Sequence, residues 1–124
     1  MAVLNDIGEA RDIHPKNKID AGKRLSLWAF KQAYGQDIVC SGPLFKTAQK
    51  KGKKIIVRFD HVGNGLMVGK KHLLNATVEV DEDLKRFQIC GKDGKWHWAK
   101  AKITSTDTVA IWSDEVRKLS LIHI

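Results

Sequence analysis

The sequence predicts a mixed fold in which a terminal loop and one helix precede an antiparallel all-β sandwich. Apolar residues recur at helical spacing between residues 16 and 34, and the pattern changes to alternation after Gly35. Beyond that point, short alternating segments are separated by glycine-containing turns, which is typical of strands joined by hairpins. We therefore expect one helix followed by a β region.

The predicted loop, residues 1–14, carries the most informative local pattern of the chain. Asp12 precedes His14 by two residues, and alternate side chains of an extended backbone point the same way, so the carboxylate can reach the imidazole. Pro15 suits the first turn of a helix, which would place His14 at the mouth of that helix. A catalytic histidine needs one ring nitrogen oriented by a carboxylate and the other free to accept a proton. The same spacing also fits an ordinary loop, so the residues alone leave both interpretations open.

The helix predicted over residues 16–34 ends at Gly35, a residue typical of helix C-terminal caps. Asp20 and Arg24 have the i, i+4 spacing of a salt bridge on its solvated face. Two apolar stripes run along the helix, Ala21, Leu25, Trp28 and Ala29 in one, and Leu27, Phe30 and Tyr34 in the other. Such a broad apolar surface predicts packing partners on two sides.

Period-two alternation predicts the strands of the sandwich. The predicted strands lie around residues 55–59, 87–90, 99–103 and 109–111, with residues 66–68 as a further candidate. Four lysines flank Gly52 in a predicted hairpin turn, and Gly91-Lys-Asp-Gly94 predicts a second hairpin.

Several blocks of the sequence together resemble one enzyme family. The specific part is Asn5-Asp-Ile-Gly8, then Asp-Ile-His-Pro-Lys-Asn-Lys over residues 12–18, then Gly-Lys-Arg-Leu from residue 22 and Leu-Trp-Ala from residue 27. Further similar blocks follow in order at residues 41–44, 59–66, 87–91, 99–103 and at Val109. Over about residues 4–116 the chain resembles the C-terminal part of the sialate O-acetylesterases, which are carbohydrate esterases of the SGNH (GDSL) hydrolase superfamily.

This resemblance implies the roles of the loop residues. His14 would be the catalytic base and Asp12 its orienting carboxylate, in a hydrolase that removes acetyl esters from sialic acid or related sugars. The usual Asp-x-x-His spacing of the superfamily would place the aspartate at Arg11, whereas this chain has Asp12-x-His14. Asp6 and Glu9 are therefore alternative orienting groups.

The nucleophilic serine of the family lies in a Gly-Gln-Ser-Asn-like block, which this chain lacks. Neither Ser26 nor Ser41 has that context. We therefore expect a C-terminal fragment that is inactive alone and lacks its N-terminal SGNH catalytic domain as a partner. The resemblance also implies that the parent protein is periplasmic or secreted.

The same resemblance predicts a division of the chain into three parts. Residues 1–35 would be the end of the SGNH catalytic domain, residues 36–116 a β-sandwich C-terminal domain, and residues 117–124 a non-native tail. The last six residues are what CTG-TCT-CTT-ATA-CAC-ATC encodes, a common transposase adapter in DNA sequencing. Loss of the native continuation would leave a sheet edge unpaired.

Composition narrows the list of partners. The formal net charge is +8, but the basic residues are spread over the helix and the turn around Gly52 without a nucleic-acid motif, so we expect no nucleic-acid partner. No apolar run is long enough for a membrane span, and no cofactor or metal is expected. Cys40 and Cys90 allow either one disulfide or two buried thiols.

Trp96 and Trp98 support an alternative function. Both are expected on the strand face opposite the alanines, where they would cover the sheet edge, pack on a neighbouring domain or stack on sugar rings. The alternative to the esterase fragment is thus a freestanding β-sandwich carbohydrate-binding module.

Overall fold

The structure, a computed structural model, describes residues 1–116 and 119–123. Within these residues it contains one α-helix and nine strands, and every strand pairing is antiparallel. The elements are α1 (Lys18–Gln32), β1 (Leu44–Lys51), β2 (Lys54–Asp60), β3 (Gly69–Lys70), β4 (Val78–Glu79), β5 (Gln88–Gly91), β6 (Trp96–Trp98), β7 (Lys100–Ser105), β8 (Thr108–Trp112) and β9 (Leu119–His123). The predicted combination of one helix and antiparallel sheets is confirmed.

The chain divides into two compact units. The first comprises Met1–Gly42 together with Gly69–Glu79, and the second comprises Pro43–Val68 and the chain from Val80 onward. The excursion that contains β3 and β4 thus groups with the N-terminal loop and α1, although it lies within the span expected for the β domain. The domain boundaries expected at residues 35 and 116 concern the parent protein and stay predictions.

Two sheets form the second unit. One has the strand order β1-β2-β8-β7 and the other has the order β6-β5-β9. Residues of both sheets and two residues that flank strands share one apolar core, which consists of Ile55, Val57, Phe87, Ile89, Ala101, Val109, Ile111 and Val116. Because this core draws residues from both sheets, the unit is a small two-sheet sandwich, as the alternating pattern predicts.

The segment 66–68 is not a strand, so that prediction is wrong. The amide of Leu66 donates to the carbonyl of Thr106 at 2.8 Å, and the carbonyl of Val68 accepts from the amide of Val80 at 2.9 Å. These two backbone groups form hydrogen bonds with loop residues, so they do not need strand pairing to be satisfied.

Both predicted hairpins are confirmed. Gly52 lies in the turn between β1 and β2 with φ of 61°, a left-handed conformation that glycine adopts without a steric penalty. In the turn between β5 and β6, the amide of Gly94 donates to the carbonyl of Gly91 at 3.2 Å. Every residue of the edge strand β1 is exposed, so the lysines beside Gly52 are solvated.

The expected tail falls partly outside the described residues. Its described portion forms β9, which pairs with β5, for example Ile122 with Ile89. The sheet edge beside β5 is therefore paired rather than open. The adapter origin of the segment stays a prediction.

In the first unit, α1 begins two residues later than the sequence predicts. Its N-terminal cap is Asn17, whose side-chain oxygen accepts a hydrogen bond from the amide of Asp20 at 3.1 Å. Pro15 therefore precedes the cap instead of occupying the first turn. After the helix, Gly35 has the positive φ of 65° expected of a residue that ends a helix.

The two cysteines are free thiols, and both are buried, which matches one of the two predicted alternatives. In the described part of the chain, no helix is both long and apolar enough to cross a membrane.

Candidate functional site around His14

The backbone that carries His14 is a turn rather than an extended segment. The amide of Asp12 donates to the carbonyl of Glu9 at 3.3 Å, and these two residues form an isolated antiparallel bridge. The chain then bends at Ile13 and His14 before the cap of α1. The i, i+2 reasoning for extended chains therefore does not describe how Asp12 approaches His14.

Asp12 nevertheless lies beside His14. Its Oδ1 accepts a hydrogen bond from the backbone amide of His14 at 2.8 Å and lies 3.8 Å from Nδ1 of the imidazole. The second distance exceeds that of a hydrogen bond, so Asp12 fixes the backbone of His14 and stands next to its ring without bonding to it. The His14 side chain is 81% exposed, and the Asp12 side chain is 44% exposed.

The two alternative orienting carboxylates are engaged elsewhere. Asp6 forms a two-pronged ion pair with Arg24, with both N–O distances at 2.6 Å. This hydrogen bonding to Arg24 holds the pKa of Asp6 below its usual value and raises that of Arg24. Glu9 accepts the amide of Lys16 at 2.8 Å, and its other oxygen lies 3.9 Å from Nζ of Lys16. Asp12 is thus the carboxylate of the three that stands beside the His14 ring.

The predicted ion pair between Asp20 and Arg24 is wrong. Arg24 points to Asp6 and to the carbonyl of Val3, and Asp20 is 2.8 Å from Nζ of Lys71. The hydrogen bond from Lys71, followed by that from Asn17, lowers the pKa of Asp20. Helical spacing identified a possible partner, but partners distant in sequence offer these charges better geometry.

A small cleft of about 120 Å³ lies within this unit, lined by Asp6, Ile7, Gly8, Glu9, Asn17, Lys71 and Leu73. Its volume corresponds to a few water molecules, which is much smaller than a site that encloses a sugar. This cleft is therefore too small to enclose a sugar, whereas the imidazole of His14 is accessible to solvent.

Ser26 is the first serine after His14 in the sequence. Ser26 lies in α1, where its hydroxyl donates to the carbonyl of Lys23 at 2.8 Å. Among the described residues, no group of three or more histidine, cysteine, aspartate or glutamate side chains could hold a metal ion. The chemistry open to an exposed imidazole such as that of His14 is proton transfer to or from a group that approaches it.

A second histidine–carboxylate pair was not predicted. Nδ1 of His97 lies 2.8 Å from Oε2 of Glu115, and the His97 side chain is mostly shielded from solvent. The two residues are 18 positions apart, so no local pattern in the sequence identifies the pair. The contact joins β6 to the turn after β8, and this structural link is a sufficient role for the pair.

Trp96 and Trp98 occupy one face of β6, as predicted, because they alternate with His97. Both indoles are exposed, and Trp98 is 64% accessible. His61 follows β2 and has a positive φ of 58°. It belongs to the second unit, whereas His14 belongs to the first.

Several solved chains are similar to this one, and one of them matches nearly its whole length. It is that of a novel carbohydrate acetylesterase from Xanthomonas citri, which matches with 37% sequence identity and a TM-score of 0.81. The match covers 98% of this chain and 25% of that one, so this chain spans about a quarter of the length of that protein. No protein-family model matches the sequence. None of the curated proteins matches it significantly. The similarity supports a role related to carbohydrate ester hydrolysis.

Proposed function

We propose that this chain is the C-terminal portion of a carbohydrate O-acetylesterase that removes O-acetyl groups from sialic acid or related sugars. The observation that carries the proposal is the 37% identity with a carbohydrate acetylesterase over 98% of this chain. Because the chain spans only a quarter of that protein, the nucleophilic serine and the oxyanion hole would come from an N-terminal SGNH domain.

In this mechanism His14 is the general base. It takes the proton of the serine hydroxyl as the serine oxygen attacks the acetyl carbonyl, and then returns that proton to the departing sugar hydroxyl. His14 then takes a proton from water as the water oxygen attacks the acetyl-enzyme, and gives that proton to the serine oxygen when acetate leaves. Asp12 holds the ring in the required tautomer and stabilises the imidazolium.

The local geometry supports Asp12 as the orienting group. A separation of 3.8 Å between its Oδ1 and Nδ1 of His14 becomes a hydrogen bond after a small movement of an exposed ring. Catalytic hydrogen bonds are often long in a free enzyme and shorten when the substrate binds. Asp6 and Glu9 would first have to leave their contacts with Arg24 and Lys16.

The surface of α1 supports a missing neighbouring domain. No residue of the helix is buried, and its apolar side chains remain exposed, among them Ile19, Leu25, Leu27 and Phe30. A helix with apolar residues on more than one face normally packs between other elements. The predicted partner is the remainder of an α/β catalytic domain.

The substrate class is tested with the intact enzyme, by measuring acetate release from O-acetylated sialic acid and from acetylated xylo-oligosaccharides. We expect hydrolysis of the sialic acid ester at a kcat/KM at least about tenfold higher, equivalent to about 1.4 kcal/mol of transition-state discrimination. A preference for the xylo-oligosaccharides would overturn the sialate assignment while leaving the esterase class. Hydrolysis of neither ester would overturn the esterase proposal.

The exposed indoles favour a second candidate, a carbohydrate-binding module. Trp96 and Trp98 are the exposed aromatic pair on β6, and such surfaces stack on sugar rings. Glycan binding by this chain, measured by isothermal titration calorimetry, should then fall at least about tenfold in Trp98→Ala. Phe45→Ala, which removes an exposed aromatic ring from the other sheet, is the matched control. Absence of glycan binding by the unaltered chain would exclude this candidate.

A further inference from the structure

We propose that Lys71 is a positioning residue for His14, acting through Asp20 and Asn17 at the N-terminus of α1. The inference rests on the proposed function of His14. Lys71 lies 57 positions after His14 in sequence, in the excursion between β3 and β4 that groups with the N-terminal unit. No pattern in the sequence connects the two segments.

The connection is a short chain of polar contacts. Nζ of Lys71 lies 2.8 Å from Oδ2 of Asp20, and the same carboxylate oxygen accepts from Nδ2 of Asn17 at 2.6 Å. Asn17 in turn caps the helix, because its Oδ1 accepts from the amide of Asp20 at 3.1 Å. Lys71 therefore fixes the carboxylate that holds the capping side chain, three residues after His14.

The excursion also contacts the cap directly through its backbone. Nδ2 of Asn17 donates to the carbonyl of Leu73 at 3.1 Å, so both donors of the amide are used by Asp20 and the excursion. Leu73 has a φ of 49°, a left-handed conformation that is unfavourable for leucine. Such backbone strain persists only where the surrounding contacts hold it, and here the strained residue supplies the acceptor.

Burial distinguishes these contacts from ordinary surface ion pairs. Asn17 is 7% exposed, and the side chains of Lys71 and Asp20 are 15% and 20% exposed. When one member of a largely buried ion pair is removed, the charge of the other member is left unpaired. The contact between Lys71 and Asp20 therefore constrains the local geometry more strongly than an exposed ion pair would. Lys71 also donates to the carbonyl of Asn75 at 2.7 Å, which links two positions within the segment between β3 and β4.

These contacts help to fix the position of the short segment between the turn at Asp12 and the cap at Asn17, which carries His14. Upstream, His14 is held by the hydrogen bond from its amide to Asp12, and Lys16 by the bond from its amide to Glu9. Downstream, the position of the segment depends on the cap. A shifted cap would move the imidazole relative to Asp12 and to the reacting atoms, and displacements of about 1 Å can cost roughly a hundredfold in rate.

Amide hydrogen exchange of this chain, followed by NMR, tests the proposal without requiring activity. In Lys71→Met we expect the amides of Lys16 and Asp20 to exchange at least about fivefold faster, and Lys71→Arg to restore slow exchange. Lys23→Met is the matched control, because it removes the same charge from the exposed side of α1, one turn from Asp20. Unchanged exchange in Lys71→Met, or an equal change in Lys23→Met, would overturn the proposal. If Lys71→Met does not fold, Asp20→Asn breaks the same ion pair from the other side and carries the same expectation.

Kinetics of the intact enzyme then separate positioning from general stability. Lys71→Met should lower kcat roughly tenfold or more while KM stays within about twofold, and Lys71→Arg should recover most of the rate. An unchanged kcat despite altered exchange would overturn the positioning role. The exchange measurement needs no catalysis, so a negative exchange result would refute the role of Lys71 and leave the proposed esterase function untouched. Conversely, an inactive intact enzyme would refute the esterase function without changing the exchange result.

Discussion

The carboxylate of Asp12 accepts a hydrogen bond from the backbone amide of His14 at 2.8 Å, while the same oxygen lies 3.8 Å from the imidazole. Asp12 thus binds the main chain of His14 and lies beside the imidazole without a hydrogen bond to it. This arrangement explains how an Asp-x-His spacing brings the two groups together although the backbone turns between Glu9 and Asp12.

The ion pair between Asp6 and Arg24 should make the stability of the N-terminal unit depend on pH. The pairing lowers the pKa of Asp6 in the folded state below its unfolded value. The stabilisation is therefore present above the unfolded pKa, and is lost as the pH falls through the folded pKa. Since the Asp6 side chain is about half exposed, solvent screening limits the effect to about 0.5 kcal/mol.

Denaturation of α1, followed by circular dichroism between about pH 6 and pH 2, measures that contribution. Asp6→Asn should flatten part of the acid-side decline. A decline as steep in Asp6→Asn as in the unaltered chain would show that other carboxylates cause it.

The sandwich should depend strongly on Ile111, which is fully buried on β8 between β2 and β7. Ile111→Ala removes three carbon atoms from the packed core, and we expect the free energy of unfolding to fall by about 2–5 kcal/mol. Leu44→Ala truncates an exposed aliphatic side chain of the same sheet and should cost less than about 1 kcal/mol. Similar losses for the two variants in urea denaturation would mean that the core is not packed as described.

Much of this fold follows from local pattern. Alternation of apolar and polar residue types identified β2 and β7, which have both buried and exposed residues, and glycine turns identified both hairpins. The strands β5 and β8 were also identified, although neither contains an exposed residue. The edge strand β1 escaped prediction because all of its residues are exposed, so it carries no alternation of burial. The two-residue strands β3 and β4 are too short to produce a period.

The candidate site was predictable only in part. The pairing of Asp12 with His14 is local, so spacing and resemblance identified it. The contacts that hold the segment from outside are long-range: Arg24 with Asp6, Lys71 with Asp20, and Asn17 with the carbonyl of Leu73. Helical spacing instead predicted a pair between Asp20 and Arg24. The sequence of one chain reveals possible pairs one helical turn apart, but it does not reveal partners that are distant in sequence and close only in the fold.

This chain alone should not hydrolyse acetyl esters. A general base without its nucleophile performs no acyl transfer, so the release of p-nitrophenol from p-nitrophenyl acetate should not exceed that of a denatured control. Turnover by the chain that disappears in Ser26→Ala or Ser41→Ala would mean that the nucleophile lies within this sequence.

In the intact enzyme, Asp12→Asn should preserve the fold and lower kcat substantially, because an amide can favour the wrong tautomer of the histidine ring. Steady-state kinetics give the loss, and unchanged thermal unfolding gives the control. If kcat stays near that of the unaltered enzyme while His14 remains essential, the orienting carboxylate is Asp6, Glu9 or a group outside this chain.

The most direct measurement of the central claim is kcat of the intact enzyme carrying His14→Ala. Loss of the general base should reduce kcat by a factor on the order of a thousand or more. His97→Ala, which removes the ring of the other histidine–carboxylate pair, and His61→Ala should cost stability at most. Full activity of His14→Ala would contradict the catalytic assignment, whereas a severe loss confined to His14→Ala would be the result that the proposal predicts.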